Sequence, residues 1–290
     1  MTKDITIIIG PTASGKTELS LQLAAETNAE IISSDAFQVY RYLDIGTAKV
    51  DQRTRAKIPH HLIDIKNPDE LYSVADFLLA VKTLIPEIRK RKKPIIITGG
   101  TAFYLYSFLY GYEFADIKPD LALRERLYAE IKQVGNDHMW QKLKAIDPAI
   151  ESYLHVNNTK RIVRAFELYY QTNQLPSSVR KKASLRPDVS IIGLTSSREI
   201  IYERINSRVD EMYKNGFIDE VESLLQRGYL VDLPSFKALG YRTTAEFLNG
   251  SISREEMIEL VKKETRNFAK RQITWYKQFE DVTWLEITKK

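Results

Sequence analysis

The sequence contains no cysteine, and this absence limits the chemistry that the chain can perform. A disulfide framework and thiolate catalysis are both excluded. No apolar run approaches the roughly 20 residues that a membrane-spanning helix requires. The first residues lead directly into a strand-like segment, without the pattern of a secretory signal. We therefore expect a cytoplasmic protein that crosses no membrane.

The sequence also has no excess of negative charge, and its excess of positive charge is concentrated in one segment. The 290 residues include 43 Lys and Arg against 38 Asp and Glu, which gives a net charge of +5. Residues 118–186 contain 13 of the basic and only 7 of the acidic residues. Such a segment is either an ordinary solvated helical surface or a surface that binds a polyanion. Charge alone leaves both interpretations open.

The residues after the first apolar run match the phosphate-binding loop pattern G-x-x-x-x-G-K-[ST]. They are Gly10, Pro11, Thr12, Ala13, Ser14, Gly15, Lys16 and Thr17. Glycines let successive backbone N–H groups ring a phosphate, and the helix that follows adds its positive N-terminal dipole. Lys16 supplies a positive charge, and Thr17 a hydroxyl ligand for Mg²⁺. We predict that this P-loop binds a diphosphate or triphosphate, with Mg²⁺ as cofactor.

Buried-type strands alternate with helical segments on both sides of the basic segment. Strands are predicted at 5–9, 30–34, 94–98 and 189–194, and helices at 17–27, 72–89, 102–109, 198–215 and 253–280. Pro86 is expected to kink or end the second of these helices. Residues 117–187 show only helical patterns. We predict an α/β fold: a P-loop NTPase-like core (1–116 and 188–290) with a mostly parallel sheet flanked by helices, interrupted by an all-helical insertion at 117–187.

The acidic Mg²⁺ ligand of ordinary P-loop nucleotidases is not evident at the end of a second apolar strand. The run that ends at Asp64 is short, and the strand at 95–97 continues into Thr98-Gly99-Gly100-Thr101. This absence weakens the interpretation of the chain as an ATPase. His60 and His61 lack the spacing of a metal site, so we interpret them as structural.

Two further polar residues follow predicted parallel strands, where ligands of α/β sheets bind. Asp35 follows the second strand and is either the cap of the next helix or a general base beside the phosphate. Thr101 follows the third strand and can likewise be a helix cap. The residues alone do not decide between these roles.

Seven segments together resemble the tRNA dimethylallyltransferase family, also called tRNA isopentenyltransferases. They are residues 10–17, 34–41, 44–49, 60–64, 99–101, 208–212 and 269–275. The resemblance implies transfer of a dimethylallyl group from its diphosphate to N6 of the adenosine 3′-adjacent to the anticodon, in tRNAs that read codons beginning with U. It also implies a monomer with no obligate protein partner.

The resemblance assigns roles to individual residues. The P-loop holds the diphosphate leaving group, Lys16 and Arg208 balance its charge, Asp35 accepts the N6 proton, and Thr101 lies near the reaction centre. The implied tRNA contacts are Asp35, Ala36, Phe37, Gln38, Thr101, Arg124, Thr159, Lys160, Arg161, Ile162 and Val163. Two positions depart from the family pattern: Phe103 is bulkier than usual, and Thr159 stands where an acidic residue is common.

Two alternatives remain. An adenylate isopentenyltransferase modifies a free nucleotide, which needs no basic insertion to hold it. A P-loop RNA-binding ATPase or switch would use the loop for ATP in the usual way. For a tRNA dimethylallyltransferase the expected ligands are dimethylallyl diphosphate and the tRNA anticodon stem-loop. For the RNA-binding ATPase or switch the expected P-loop ligand is ATP.

Overall fold

The computed structural model describes residues 3–112, 119–179 and 185–288. The chain divides into two compact units. The core unit contains Met1–Leu109 and Arg186–Lys290, and the inserted unit contains Tyr110–Leu185. The predicted insertion, 117–187, covers most of the second unit.

The elements follow one another as β1 (Ile5–Ile9), α1 (Lys16–Thr27), β2 (Glu30–Ser33), α2 (Gln52–Lys57), β3 (His60–His61), α3 (Val74–Lys90), β4 (Ile95–Thr98), α4 (Ala102–Leu109), α5 (Leu121–Ile146), α6 (Thr159–Thr172), β5 (Val189–Thr195), α7 (Arg198–Lys214), α8 (Phe217–Gln226), α9 (Tyr241–Leu248), α10 (Arg254–Tyr276) and β6 (Val282–Glu286). Short 3₁₀ turns lie at Pro148–Ser152 and Pro234–Lys237.

One sheet organises the core unit, in the order β3-β2-β4-β1-β5-β6, and its strand pairs are parallel. The central strands are isoleucine-rich and buried, as expected of parallel strands covered on both faces. Ile8 and Ser33 both pair with Thr98, so β1, β2 and β4 end at the same level. The predicted α/β fold is therefore confirmed, and the loops after these three strands meet at one edge.

Helix α3 begins as predicted, with a capping box in which Ser73 and Asp76 bond to each other's backbone N–H groups. It does not end at Pro86 but continues to Lys90. Phe77, Val81, Ile85 and Ile88 are buried along one face of this helix. Burial of that face outweighs the hydrogen bond that the proline removes.

The C-terminal part contains one strand that the sequence pattern did not predict. Strand β6 pairs with β5 along its length, although most of its side chains are exposed. It therefore lacks the apolar run by which the other strands were recognised. Gly193 of β5 pairs with Trp284 of β6, and a Cβ at Gly193 would lie 2.4 Å from the Trp284 ring. Glycine is therefore needed at this position to make room for the indole.

The inserted unit is helical in its described residues, as predicted. Helix α5 breaks at Gly135, whose φ of 84° favours glycine. Both halves of α5 pack against α6 around Leu127, Met139 and Phe166. The indole N–H of Trp140 donates to the Leu154 carbonyl at 2.7 Å, which satisfies that buried donor.

Within the described ranges, no helix is both long and apolar enough to span a membrane.

Candidate active site

A cavity of about 1110 Å³ opens in the core unit, where β1, β2 and β4 end. Its walls come from the P-loop, from residues 35–38, from residues 99–103 and from the loop at 44–52. Helices α7 and α10 contribute Arg208, Gln272 and Trp275. The structure therefore brings the core-unit residues predicted to be catalytic, which lie far apart in the sequence, to one space.

The P-loop adopts backbone angles that depend on glycine. Gly10 and Gly15 have φ values of 151° and 87°, and a Cβ at Gly10 would lie 2.8 Å from the Ser14 hydroxyl. Helix α1 begins at Lys16, directly after Gly15. Gly15 has no side chain to occupy the first N–H groups of this helix, so they can face an anion. The geometry is that of a phosphate-binding loop.

Lys16 is folded against its own loop and donates to the carbonyls of Gly10 and Pro11 at 2.7 and 2.9 Å. Burial, together with repulsion from the Arg208 guanidinium, lowers the pKa of Lys16 to about 7, and the negative charge of Asp35 partly opposes this shift. The lysine therefore titrates near neutral pH until an anion joins it.

Arg208 lies on α7 and donates to the Thr12 hydroxyl at 3.4 Å. Burial lowers the pKa of its guanidinium, whereas the Asp35 charge raises it. Asp35, Lys16 and Arg208 all line the cavity, and the negative charge of Asp35 raises the pKa of both cations.

Asp35 is fixed by three backbone N–H groups. One carboxylate oxygen accepts from Phe37 and Gln38 at 2.9 and 3.3 Å, and the other accepts from Gly100 at 3.0 Å. Residues 36–39 form turns rather than a helix. Asp35 therefore caps a turn, not a helix, while its carboxylate lines the cavity.

Thr101 joins the same arrangement from the neighbouring strand. Its hydroxyl accepts a hydrogen bond from the Ala36 N–H at 2.9 Å, and its own N–H donates to the Ser34 carbonyl. The hydroxyl thus ties the β4 loop to the β2 loop. The Thr101 side chain therefore connects two walls of the cavity, and its observed hydrogen bond is to the β2 loop and not to the first turn of α4.

Gln38 and the loop at 44–49 form the opposite wall. The Gln38 amide donates to the Thr47 carbonyl at 3.1 Å. Lys49, with a side chain only 2% exposed, pairs with Asp44 at 2.7 Å and with Asp64 at 2.6 Å. Arg55 also pairs with Asp64, so this carboxylate is neutralised by two cations. Asp64 is thus engaged in ion pairs within the protein, which agrees with the interpretation that it is not the Mg²⁺ ligand of a nucleotidase.

His60 and His61 have structural partners. The His60 ring lies 2.7 Å from the Ile58 carbonyl, and burial lowers the pKa of His60. The His61 ring lies 2.7 Å from the Glu30 carboxylate. These contacts agree with the interpretation of the pair as structural.

Two residues that support the cavity were not recognised as functional in the sequence. Gln272 on α10 bonds to both the P-loop and Gly100. Glu220 on α8 accepts from the N–H groups of Asp44, Ile45 and Gly46, which holds the wall loop in place. A polar residue on the buried face of α10 is a signal that can be read locally. The partners of Glu220 lie some 175 residues away, so no local pattern reveals them.

The residues present are compatible with Mg²⁺. Thr17 lies at the start of α1 and lines the cavity, whereas no group of three or more acidic, histidine or cysteine side chains in the described chain could hold a metal by itself. Mg²⁺ usually keeps several waters and binds one or two protein oxygens together with substrate phosphates. A Thr17 hydroxyl beside a bound diphosphate meets that requirement.

Arg124 and Arg164 of the inserted unit both bond to Glu167, which is 0% exposed. Burial raises the pKa of Glu167, but the hydrogen bonds from the two arginines outweigh it and leave the pKa lowered. The two arginines are 33% and 43% exposed and neutralise a carboxylate that is itself buried in the inserted unit.

The predicted RNA contacts at 159–163 are narrowed by burial. Ile162 and Val163 are 0% and 2% exposed and pack inside the unit, where RNA cannot reach their side chains. Thr159 bonds to the Asn136 side chain and is half-buried. Lys160 and Arg161 are exposed. Within 159–163, the side chains that RNA can reach most easily are therefore those of Lys160 and Arg161.

Known proteins share this sequence and fold. A family model described as IPP transferase matches residues 38–279. The tRNA dimethylallyltransferase of Alkaliphilus oremlandii is 43% identical over 290 residues, which cover 99% of this chain and 93% of that protein.

Solved structures agree. The tRNA isopentenylpyrophosphate transferase of Bacillus halodurans is 39% identical with a TM-score of 0.72, over 98% of this chain and 90% of that one. A eukaryotic dimethylallyltransferase acting on tRNA is 29% identical with a TM-score of 0.83, over 97% of this chain and 73% of that one. The family model matches most of the chain and the relatives match nearly all of it, so this chain belongs to the tRNA dimethylallyltransferase family.

Proposed function

We propose that this transferase moves a dimethylallyl group from dimethylallyl diphosphate to N6 of the adenosine 3′-adjacent to the anticodon, in tRNAs that read codons beginning with U. The observation that carries the proposal is one cavity lined by the Asp35 carboxylate, which three backbone N–H groups hold, and by the cationic side chains of Lys16 and Arg208. The transfer needs positive charge to stabilise the departing diphosphate and a base to take the proton of the amine, and the cavity contains both.

The P-loop is suited to the leaving group. As the allylic C1–O bond breaks, negative charge accumulates on the diphosphate oxygens, and its stabilisation is the main demand on the site. The first N–H groups of α1, Lys16 and Arg208 all supply positive charge there. A Mg²⁺ ion held by Thr17 and the phosphate oxygens would add Lewis-acid stabilisation of the departing diphosphate.

The proposal gives Asp35 the role of accepting the N6 proton. A neutral exocyclic amine is a weak nucleophile, and a carboxylate that takes its proton as the N6–C1 bond forms assists it. Three backbone N–H groups hold the Asp35 carboxylate in a single orientation. Fixed orientation is what general-base catalysis requires, because the proton must be taken along one direction.

The acceptor base must leave its stack to reach this cavity. Unpaired bases of an RNA loop are splayed out more easily than bases of a duplex. Residues 36–38 and Thr101, at the cavity wall, are proposed to contact the adenosine and its neighbours. A monomer in the cytoplasm, where tRNA is found, completes the proposal.

Incubation with undermodified tRNA and labelled dimethylallyl diphosphate tests this function directly. Label should enter tRNA at the adenosine beside the anticodon, and replacing tRNA by free AMP should give none. Dimethylallyl diphosphate at a hundredfold excess over its Kd should also raise the Tm by roughly 5 °C. Strong protection by ATP with no protection by the diphosphate would favour the ATPase alternative, and labelled AMP would favour the nucleotide-modifying one.

The proposed RNA surface of the inserted unit has its own test. Lys160→Ala combined with Arg161→Ala should weaken tRNA binding and reduce the slope of log K against log salt by about 1.5, since each lost phosphate contact removes roughly 0.7–0.9. Arg164 is left intact because it pairs with Glu167.

The matched control is Lys90→Ala with Lys92→Ala. These lysines are exposed, carry the same charge and lie outside the cavity wall. Filter binding between 50 and 300 mM salt compares the two variants. Equal slopes in both would remove Lys160 and Arg161 from the RNA surface.

A further inference from the structure

A buried glutamine connects the two halves of the cavity. Gln272 lies on the inner face of α10, with Thr265, Ala269 and Tyr276, and is 2% exposed. A buried amide is unfavourable unless both its oxygen and its nitrogen are hydrogen-bonded. The partners of this amide therefore show what the residue does.

Both partners belong to the catalytic loops. The Gln272 oxygen accepts from the Thr12 N–H at 2.7 Å, and its nitrogen donates to the Gly100 carbonyl at 2.8 Å. Reversing the amide would place two donors together and two acceptors together. The side chain is therefore held in one orientation, and it fixes the P-loop and the β4 loop at one separation.

The hydrogen bonds continue from both ends. The Gly100 N–H donates to the second carboxylate oxygen of Asp35 at 3.0 Å, and a Cβ at Gly100 would lie 2.6 Å from that oxygen. At the other end, the Thr12 hydroxyl accepts from Arg208. One chain of contacts thus runs from Arg208 through Thr12, Gln272 and Gly100 to Asp35.

We propose that Gln272 is a positioning residue that sets the distance between the diphosphate in the P-loop and the carboxylate of Asp35, an inference that rests on the proposed function. Both of its hydrogen bonds go to backbone groups of the protein. Its effect is on geometry: a displacement of about 1 Å at a reacting centre can lower a rate by roughly a hundredfold.

A double-mutant cycle tests the coupling. Gln272→Met keeps the length of the side chain and removes both hydrogen bonds, and it should lower kcat about 10- to 100-fold. In an Asp35→Asn background the same change should lower kcat less than about threefold, because no base remains to be misplaced. Equal losses in the two backgrounds would overturn the proposal. Thr265→Ala, which removes another buried polar group of α10, is the control for stability and should leave kcat nearly unchanged.

Amide hydrogen exchange gives a readout that does not depend on transfer. In Gln272→Met, residues 10–17 and 98–104 should both exchange about 3- to 10-fold faster than in the wild type. Gln272→Glu keeps the acceptor for the Thr12 N–H but loses the donor to the Gly100 carbonyl. The increase in exchange rate should therefore be larger in residues 98–104 than in residues 10–17. Unchanged exchange in both segments would overturn the positioning role. Absence of transfer by the wild-type protein would instead overturn the proposed function, and the exchange rates would still decide whether Gln272 couples the loops.

Discussion

Replacing Asp35 by asparagine is expected to lower kcat for dimethylallyl transfer by roughly 10²- to 10⁴-fold, the usual contribution of a general base. Asparagine keeps the shape of the side chain, and its oxygen can still accept from Phe37 and Gln38. It cannot take the N6 proton. Because the remaining contacts with substrate persist, the Kd values for tRNA and dimethylallyl diphosphate should change less than about tenfold.

Single-turnover transfer of label, together with separate binding measurements, checks this result. Asp51→Asn is the matched control, since Asp51 also lines the cavity but its carboxylate caps α2 by accepting from Thr54. Asparagine caps a helix as well as aspartate does, so that variant should keep both its stability and its kcat. If Asp35→Asn retained more than about a third of wild-type kcat, Asp35 would not be the base.

Lys16 is expected to make diphosphate binding depend on pH. In the protein without ligand its pKa is lowered to about 7, chiefly by burial and by Arg208. A bound diphosphate favours the charged lysine and raises its pKa. Below pH 7 the lysine is charged in both states, so it adds no pH dependence. Above pH 7 binding must take up a proton, and the affinity supplied by Lys16 falls by up to about tenfold per pH unit.

The diphosphate titrates as well, and a Lys16→Arg variant separates the two effects. Arginine stays protonated throughout, so the ratio of wild-type to variant affinity should fall between pH 7 and 9 and be constant between pH 6 and 7. Calorimetry with dimethylallyl diphosphate measures this ratio. Parallel pH profiles would show that Lys16 is already charged in the free protein. Lys16→Ala should lose about 10²- to 10³-fold in kcat/KM between pH 6 and 7, and this loss should shrink toward pH 9.

Asp35 shows how far a sequence argument reaches. Its position after a buried strand left two roles open, a cap or a base. The structure shows that the capping bonds to Phe37 and Gln38 are also what orients the carboxylate toward the cavity. The two roles are therefore compatible, and only the arrangement of the neighbouring loops could show it.

RNA contacts were harder to predict than the phosphate site. The resemblance implies RNA contacts along the whole of 159–163, yet Ile162 and Val163 belong to the core of the inserted unit. Arg124 is also among the implied RNA contacts, and its guanidinium is hydrogen-bonded to the buried Glu167. Which face of a helix is buried depends on its neighbours, and charge counts along the chain do not contain that information.

The P-loop was determined by the sequence alone, because its glycines, Lys16 and Thr17 are neighbours and a local backbone conformation is enough to form it. The parallel sheet was determined in the same way by continuous isoleucine-rich runs. Only the tertiary structure decided what surrounds the loop: it brings Asp35, Arg208 and Gln272 from three distant segments to the same cavity. Those residues are joined by hydrogen bonds across as many as 260 positions, and side chains so far apart meet only where packing of the whole core unit places them.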